Sequence, residues 1–442
     1  MKHLLLCLGL LWCLVGPGCS GSRSSSGVAE KTIALGWARN AVNTAVFRKN
    51  SVVSHQGQQY AAFYDSAGYV VLAKRSLPAG AWQVKRTTLT GNIRDAHNVI
   101  CIMVDGDGYL HISWDHHGHP LHSSRSVAPG SLELLPAMAM TGRDENRVTY
   151  PEFYKMPDGD LLFLYRSGAS GQGNLVLNRY RVKEKTWTRV QDVLLDGEGQ
   201  RNAYWQADLD AQGTFHLSWV WRETGDVATN HDIGYARSRD GGLSWEKSTG
   251  AAYAMPIRAA TAEYAVRIPQ KSELINSTSM SADGQGHPYI ATYWRPAGTT
   301  VPQYHLVYHD GRQWHTRQVS QRQTAFSLSG GGTKKIPISR PQVVVEQRGR
   351  HRKAYLVFRD VERGGKVSLS TCQDLEKGVW TVQDLTAYGV GNWEPSFDTE
   401  LWKQKKQLHL FVQKAGQGDG ETLEDLPAQP VTILEWQPGR AN

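Results

Sequence analysis

Past residue 35, apolar positions recur in short runs of five to seven residues between turns rich in Gly, Asp and Asn. No long stretch keeps the 3.6-residue apolar spacing of an amphipathic helix, so the runs predict short β-strands and an all-β protein. One run recurs with an aromatic residue near its end, often followed by Asp or Arg. Its seven copies are YAAFYD (60–65), LHISWD (110–115), LLFLYR (161–166), FHLSWVWR (215–222), YIATYWR (289–295), YLVFRD (355–360) and LHLFVQ (408–413).

The spacing of these runs predicts the architecture. Successive copies begin 50 to 74 residues apart, and a second series marks where most repeats turn over: Trp82, Trp187, Trp245, Trp314, Trp380 and Trp436. A repeat of this length with several short strands is typical of propeller blades. We therefore expect a seven-bladed β-propeller. We also expect a strand around 43–48 to complete the last blade beside 431–436, because closure removes free sheet edges.

One repeat carries a sharper turn signature. Residues 238–245 read SRDGGLSW and fit the Asp-box pattern S-x-D-x-G-x-x-W of propeller hairpins. The Ser and Asp side chains should satisfy the backbone of the turn, Gly should adopt a positive φ, and Trp245 should fill the blade. The motif predicts structure and not catalysis.

The N-terminal segment predicts export. Three residues precede a 12-residue apolar run, which is too short to span a bilayer and is typical of a signal peptide over 1–19. Cys19, followed by a Ser- and Gly-rich stretch, resembles a bacterial lipoprotein cleavage site, so lipidation and plain secretion remain alternatives. We expect a flexible linker over 20–34 and a single catalytic propeller over 35–442, either secreted, periplasmic or held at the outer membrane. Cys101 and Cys372 should be buried thiols.

The composition indicates which classes of binding partner the protein favours. The chain has 49 Lys and Arg against 41 Asp and Glu, a net charge of +8 that suits an anionic partner. It contains no block of five or more basic residues, so nucleic acid is disfavoured. The expected partner is an anionic polysaccharide or oligosaccharide, and the expected state is a monomer that meets a membrane only through a lipid anchor.

Polar residues at equivalent strand ends are the candidates for chemistry, because loops from all blades meet at one end of a propeller channel. Six histidines lie between His97 and His122. A metal cluster is disfavoured because no helical H-x-x-x-H and no Cys pair is present, and a His pair facing an acidic substrate is favoured. Tyr150 precedes Pro151, which should hold it extended.

Further candidates follow in the next strands. Arg166 ends its strand before a Gly-rich loop, and Tyr204 and Arg222 lie at corresponding edges of the following blade. The loop SLSGGGTKKIPISRP (327–341) has neither the spacing nor the following helix of a phosphate-binding P-loop. We expect it to be a plain insertion rather than an arm that reaches the ligand.

The stretches DAHNVICIMVDGDGYLHISWDHH, VTYPEFYKMPDGDLLFLYRSGASGQGN and RNAYWQ resemble the BNR-type propeller family that includes the ulvan lyases, which cut rhamnose–glucuronate polysaccharide by β-elimination. The likeness covers most of 40–436. It implies that His97 and His117 are paired active-site histidines, Tyr150 transfers protons, Arg166 binds the carboxylate, and Tyr204 is a further active-site tyrosine. Some members of this family carry a structural zinc, but no Cys–His group that could hold it follows Trp205 here. The β-elimination that the resemblance implies needs no metal and no organic cofactor.

The chemistry asks for these residue types. Removal of the C5 proton of a uronate requires neutralisation of its carboxylate, which Arg166 and a protonated His can provide. We expect the adjacent cations to lower the pKa of Tyr150, so that it takes the C5 proton and returns it to O4.

Two other functions remain open. A related branch of the same fold comprises exo-acting α-L-rhamnosidases with one catalytic His on the opposite propeller face, a place that His55 could take. The second alternative function is that of a non-catalytic carbohydrate-binding propeller. A sialidase-like grip by Arg166, Arg222, Arg295 and Arg359 is a weaker interpretation, and paired carboxylates for an ordinary glycosidase are not evident.

Overall fold

The computed structural model describes residues 27–349 and 351–439. Its strands form seven antiparallel sheets, and the first strands of successive blades contact one another around a central channel. The predicted seven-bladed β-propeller is therefore confirmed. The predicted signal peptide and lipidation site at Cys19 lie outside the described residues.

Blades 1 to 4 follow the chain from the channel outward. Blade 1 comprises Val52–His55, Gln58–Tyr64, Tyr69–Ser76 and Gln83–Thr90. Blade 2 comprises Ile100–Val104, Leu110–Trp114 and Ser123–Arg125. Blade 3 comprises Val148–Lys155, Leu161–Ser167, Asn174–Arg181 and Thr186–Leu195, with the short strand His117–His119 added beside the first. Blade 4 comprises Asn202–Leu209, Phe215–Arg222, Asn230–Ser238 and Glu263–Val266.

Blades 5 to 7 complete the ring. Blade 5 comprises Ser279–Ala282, Pro288–Trp294, Gln303–His309 and Trp314–Gln318. Blade 6 comprises Gln342–Arg348, His351–Asp360, Lys366–Cys372 and Trp380–Gly389. Blade 7 comprises Leu408–Val412, Gln429–Trp436 and Val28–Gly36. The helical segments are Thr399–Lys405 and the short 3-10 turns Val227–Thr229, Val361–Arg363 and Asp419–Glu421.

The ring closes with a different strand from the one predicted. Val28–Gly36 pairs antiparallel with Gln429–Trp436, whereas 43–48 forms buried turns. The prediction for 43–48 is wrong because Arg48 is fully buried and donates to the carbonyls of Asn43 (2.8 Å) and Ile100 (2.9 Å), which holds this segment between blades 1 and 2. Ordered strand therefore begins at Val28, inside the stretch expected to be flexible linker.

The Asp-box turn confirms its sequence signature. Ser238 Oγ accepts from the Gly242 amide (2.8 Å), and the Asp240 carboxylate accepts from the Ser244 amide (3.0 Å). Gly241 and Gly242 have φ values of 74° and 95°. Trp245 is 1% exposed, so it fills the blade as predicted.

The remaining expectations about the body of the protein concern thiols and membranes. Cys101 and Cys372 are both buried and unpaired, as expected. None of the helices within 27–349 and 351–439 has the length and apolar content that a bilayer crossing requires.

Candidate active site

Five of the six predicted residues meet at one end of the channel, which we call the site face. In blades 1 to 6 this is the end at which the first strand begins and the second strand ends. Tyr150 and Tyr204 lie near the starts of the first strands of blades 3 and 4, and Arg166 near the end of the second strand of blade 3. His97 precedes blade 2. His117 joins them because its short strand pairs with Val148–Lys155.

The two histidines form a stacked pair held by one carboxylate. Their ring centroids are 4.0 Å apart with an interplanar angle of 15°. Asp95 places Oδ1 2.9 Å from Nδ1 of His97 and Oδ2 2.6 Å from Nδ1 of His117. Glu421, from the turn before the last strand of the chain, lies 3.2 Å from His97 Nδ1.

These carboxylates make His97 a cation. Burial alone would lower the pKa of His97, but hydrogen bonds and charge from Asp95 and Glu421 raise it to about 9. Burial acts to raise the pKa of the Asp95 carboxyl, but hydrogen bonds with His117 and His97, and the charges of both rings, hold it well below its usual range. His97 therefore carries a positive charge at neutral pH.

Asp95, His97 and His117 are also the one group in the described part of the chain whose side-chain ligand atoms lie close enough together to share a metal ion. Their geometry favours another use. Each Nδ1 is within hydrogen-bond distance of Asp95, and a proton on Nδ1 excludes a metal from the same lone pair. The trio therefore fits a hydrogen-bonded imidazole pair better than a ligand set.

Tyr150 lies on a strained backbone. Its φ is +58°, at an irregularity between Thr149 and Glu152 in the pairing of blade 3, so the expectation of an extended conformation before Pro151 is wrong. A left-handed backbone at a bulky residue is uncommon and costs about 1–3 kcal/mol. Such strain persists where surrounding packing imposes it, and it is concentrated at functional sites.

Rings and cations surround the Tyr150 phenol. Its ring makes edge contacts with Phe47 (5.2 Å between centroids) and Tyr204 (5.8 Å), and lies 5.9 Å from the ring of His97. The Arg166 guanidinium carbon sits 5.0 Å from the centre of the Tyr150 ring. Tyr150 and His97 line one pocket, and Tyr204 and His117 pack against them.

Arg166 and Arg222 are buried arginines without a carboxylate. They are 3% and 8% exposed. Arg166 donates to Thr149 Oγ1 (3.0 Å), and Arg222 donates to the Gly225 carbonyl and weakly to the Tyr204 hydroxyl (3.5 Å). The Nε atom of each makes no hydrogen bond, and among the described residues no carboxylate lies within ion-pair distance of either.

Arg340 provides the contrast. It also lines the pocket, but Glu394 binds it through two hydrogen bonds, from Nε to Oε1 (2.8 Å) and from Nη2 to Oε2 (2.6 Å). Its charge is therefore already compensated inside the protein. Among the described residues, no carboxylate compensates the charges of Arg166 and Arg222 in the same way.

The two tyrosines differ in acidity. Burial raises the pKa of Tyr150 far enough to outweigh Arg166 and Arg222, so the expectation of a lowered value is wrong. Burial also acts to raise the pKa of Tyr204, but the charges of Arg166 and Arg222 and a hydrogen bond from Ser170 lower it to about 8. Tyr204 is thus the phenol closer to ionisation at neutral pH.

Several site residues escaped the sequence analysis. Asp95 stands two positions before His97 and was recognisable in principle as its partner, whereas nothing in the sequence links Glu421 to a histidine 324 positions earlier. Residues 327–341, which we call the strap, were expected to be a plain insertion. Thr333 and Lys334 of the strap line the pocket, so that expectation is wrong.

Other candidates lie outside the pocket. His111 pairs with Asp105 (2.9 Å) in a blade 2 hairpin, and Arg295 pairs with Glu273 (2.6 Å). Arg359 donates to backbone carbonyls, including that of Ile336 (3.0 Å). These side chains stabilise the blades.

His55 lies at the opposite end of the channel, at the end of the first strand of blade 1. Its Nδ1 is 2.7 Å from Nζ of Lys155, and its Nε2 is buried without a hydrogen bond. Burial, and then the charge of Lys155, lower its pKa. The structure therefore does not bring His55 to the other five predicted residues.

Comparisons with known proteins agree with this architecture. An ulvan lyase of polysaccharide lyase family PL25 superimposes with a TM-score of 0.65 at 16% identity, covering 87% of this chain and 96% of that one. The same lyase bound to -[GlcA(1-4)Rha3S]- gives 0.66 at 15% identity, covering 87% and 97%. The polysaccharide lyase Uly1 gives 0.65 at 15% identity, covering 88% and 90%. At such identities the likeness shows the fold alone.

Sequence comparison adds the family. No curated protein matches the chain. The model of the BNR repeat-containing family matches residues 58–322, which is more than half of the chain. The chain therefore belongs to the BNR repeat-containing family.

Proposed function

We propose that this protein is a polysaccharide lyase that cleaves a rhamnose- and uronate-containing polysaccharide, such as ulvan, by β-elimination. One observation carries the proposal: Arg166 and Arg222 are buried beside two tyrosines, and neither has a carboxylate partner among the residues that the structure describes. Buried charges in proteins are normally paired, because desolvation costs several kcal/mol per ion. An anionic group of the substrate would supply the missing partner, and a uronate carboxylate fits the planar fork of an arginine.

β-Elimination requires that the substrate carboxylate be paired with cations of the protein. The C5 proton of a uronate is poorly acidic while the neighbouring carboxylate carries its full charge. Arg222 and the protonated His97 line the pocket, and Arg166 lies against the ring of the pocket residue Tyr150. Fixed cations in a site that excludes water stabilise developing negative charge without reorganisation. The carboxylate then accepts the electron density released when the C5–H bond breaks.

The two tyrosines divide the proton transfers in this proposal. Ionised Tyr204 takes the C5 proton, the C5–H electrons form the C4=C5 double bond, and the C4–O4 bond breaks. Tyr150, whose pKa burial raises, stays protonated and donates its proton to the departing O4. A proton passed from Tyr204 to Tyr150 then restores the starting state. The step uses only side chains of this protein and needs no co-reactant.

The carboxylates around the pocket favour elimination over hydrolysis by an acid pair. Asp95 and Glu421 bind His97, Glu394 binds Arg340, and Glu223 binds Arg201. A glycosidase needs one carboxylic acid and one carboxylate that are both free to reach the glycosidic bond. The carboxylates named here are already engaged.

The test is incubation with ulvan while ultraviolet absorbance of the unsaturated uronate and release of free rhamnose are both followed. We expect absorbance to rise, and Tyr204→Phe and Tyr150→Phe each to abolish the rise while leaving thermal unfolding unchanged. Tyr388→Phe, on an outer strand, is the matched control and should keep full activity. Absorbance that rises equally in all variants would refute the assignment of the tyrosines.

The other outcomes identify the alternatives. Rhamnose released from a rhamnose-capped arabinogalactan without new absorbance, and lost in His55→Ala, would establish the exo-rhamnosidase. Binding of either glycan with no product would establish a carbohydrate-binding propeller. A polymeric glycan substrate accords with an exported, monomeric protein, which gel filtration and cell fractionation can check.

A further inference from the structure

The strap takes a long route between blades 5 and 6. It follows the last strand of blade 5, Trp314–Gln318, and precedes the first strand of blade 6, Gln342–Arg348. Neighbouring blades in a propeller can be joined by a short connection, yet this segment leaves both blades and is anchored to others. Loops of this length inside a compact domain are uncommon and are often functional.

The first anchor is on blade 4. The Gly330 amide donates to Asp226 Oδ1 (2.7 Å), and the Gly330 carbonyl accepts from the Val227 amide (3.0 Å). Asp226 and Val227 belong to the connection between the second and third strands of blade 4, on the site face. The strap therefore reaches back past blade 5 to the neighbour of Arg222.

The second anchor is on blade 7. The Thr333 amide donates to Glu421 Oε1 (2.7 Å), and the Lys335 amide donates to Asp419 Oδ1 (2.7 Å). Glu421 also contacts His97, so this anchor ends at the histidine pair. Between the two anchors the strap spans the channel mouth from blade 4 to the segments of blades 7 and 2.

The strap is packed and forms a wall. Leu328, Thr333 and Ile336 turn inward and are buried. The strap residues Thr333 and Lys334 line the same pocket as His97 and Tyr150. A polysaccharide chain that ran across the face of the propeller would have to pass through this wall.

We infer that the strap closes one end of the substrate path, so that the protein binds chain ends and releases short products from them rather than cutting within the polymer. This inference rests on the proposed lyase function and adds its mode of action. An open cleft accepts internal segments, whereas a path closed by a wall accepts only a segment that terminates there.

Product size tests the inference separately from the chemistry. With ulvan, we expect disaccharides as the earliest unsaturated products and only a slow loss of viscosity as absorbance rises. Early intermediate-length oligosaccharides with a rapid loss of viscosity would overturn the inference and leave β-elimination intact. An absence of unsaturated product would refute the lyase proposal and not by itself the closed path.

Loosening the strap should change the mode of action. Asp226→Ala combined with Asp419→Ala removes one side-chain acceptor at each anchor, and excision of 330–332 shortens the strap itself. In both variants we expect the viscosity loss per double bond formed to increase several-fold. Asp107→Ala with Asp158→Ala, two exposed acids in hairpins of the opposite face, is the matched control and should leave the product profile unchanged. An unchanged profile in folded strap variants would overturn the inference.

A binding measurement covers variants that fail to fold or to react. Tyr150→Phe with an intact strap is titrated with equal masses of intact ulvan and of short ulvan oligosaccharides made by mild acid hydrolysis. End binding predicts that half-saturation occurs at a mass concentration that rises in proportion to chain length, because a given mass of longer chains offers fewer ends. Equal half-saturation by mass, tighter binding of the intact polymer, or no binding of either would overturn the inference.

Discussion

The sharpest prediction concerns the uncompensated charge of Arg166. Replacing it with Met keeps an unbranched side chain of similar reach and removes a guanidinium that is 3% exposed. If this charge serves to bind a substrate, its desolvation lowers the free energy of unfolding of the unliganded protein. Arg166→Met should therefore stabilise the unliganded protein while it damages activity, a combination typical of residues kept for function.

The contacts of Arg166 determine how large the change in free energy of unfolding should be. Desolvation of a buried ion costs several kcal/mol. Two contacts of the guanidinium offset part of this cost: the hydrogen bond to Thr149 contributes about 1 kcal/mol, and the cation–π contact with the Tyr150 ring contributes about 0.5–2 kcal/mol. Thr149 Oγ1 still accepts from the Gly118 amide (2.9 Å) in the variant, so no polar atom is orphaned. The net gain in free energy of unfolding should be about 1–2 kcal/mol.

Arg340→Met is the matched control, because Arg340 is equally buried but paired. The substitution leaves Glu394 buried without its cation and should cost about 3–5 kcal/mol. Unfolding in urea at neutral pH, followed by tryptophan fluorescence, measures both variants. Arg166→Met should also reduce kcat/KM by about 100-fold or more, since a buried charge-assisted contact is worth about 2–5 kcal/mol. An Arg166→Met variant that is less stable than the wild type, or fully active, would refute the reasoning.

Three further outcomes follow from the same structure. The pH profile of kcat/KM should be bell-shaped with its maximum between about pH 8 and 9, because Tyr204 (pKa about 8) must lose its proton and His97 (pKa about 9) must keep one. A flat profile over this interval would contradict the assignment of Tyr204 as the base and His97 as a cation. His97 has a raised folded-state pKa, so its contribution to stability is complete below the ordinary pKa of His and is lost as the pH rises through 9. The free energy of unfolding should fall by up to about 3 kcal/mol over that interval, and His97→Gln should remove this dependence. Gly242→Ala should lower the free energy of unfolding by about 2 kcal/mol, because φ is +95° and a Cβ would lie 2.3 Å from Leu177. Gly250→Ala, at φ +86° with nothing within 4 Å, should lower it by about half as much. Equal losses for the two variants in thermal unfolding would show that the contact with Leu177 is relieved.

Local patterns predicted much of the fold. Alternating runs with a regular spacing require only local strand formation and a repeat length, and the Asp-box turn is satisfied by atoms within eight residues. The closing strand was mispredicted because many segments can pair with the open edge of Gln429–Trp436. The burial of Arg48 between blades 1 and 2, a tertiary effect, excluded 43–48 from that edge.

The candidate site divides in the same way. Local sequence patterns specify the blades and the turn chemistry, and the family resemblance identifies five residues that the structure gathers at one face. The roles of these residues depend on contacts between blades: Glu421 of blade 7 meets His97, no carboxylate among the described residues pairs with Arg166 or Arg222, and the strap is anchored to blade 4. Burial and long-range charge set the pKa values of Tyr150 and Tyr204, and both depend on residues brought together from different blades, which no local pattern records.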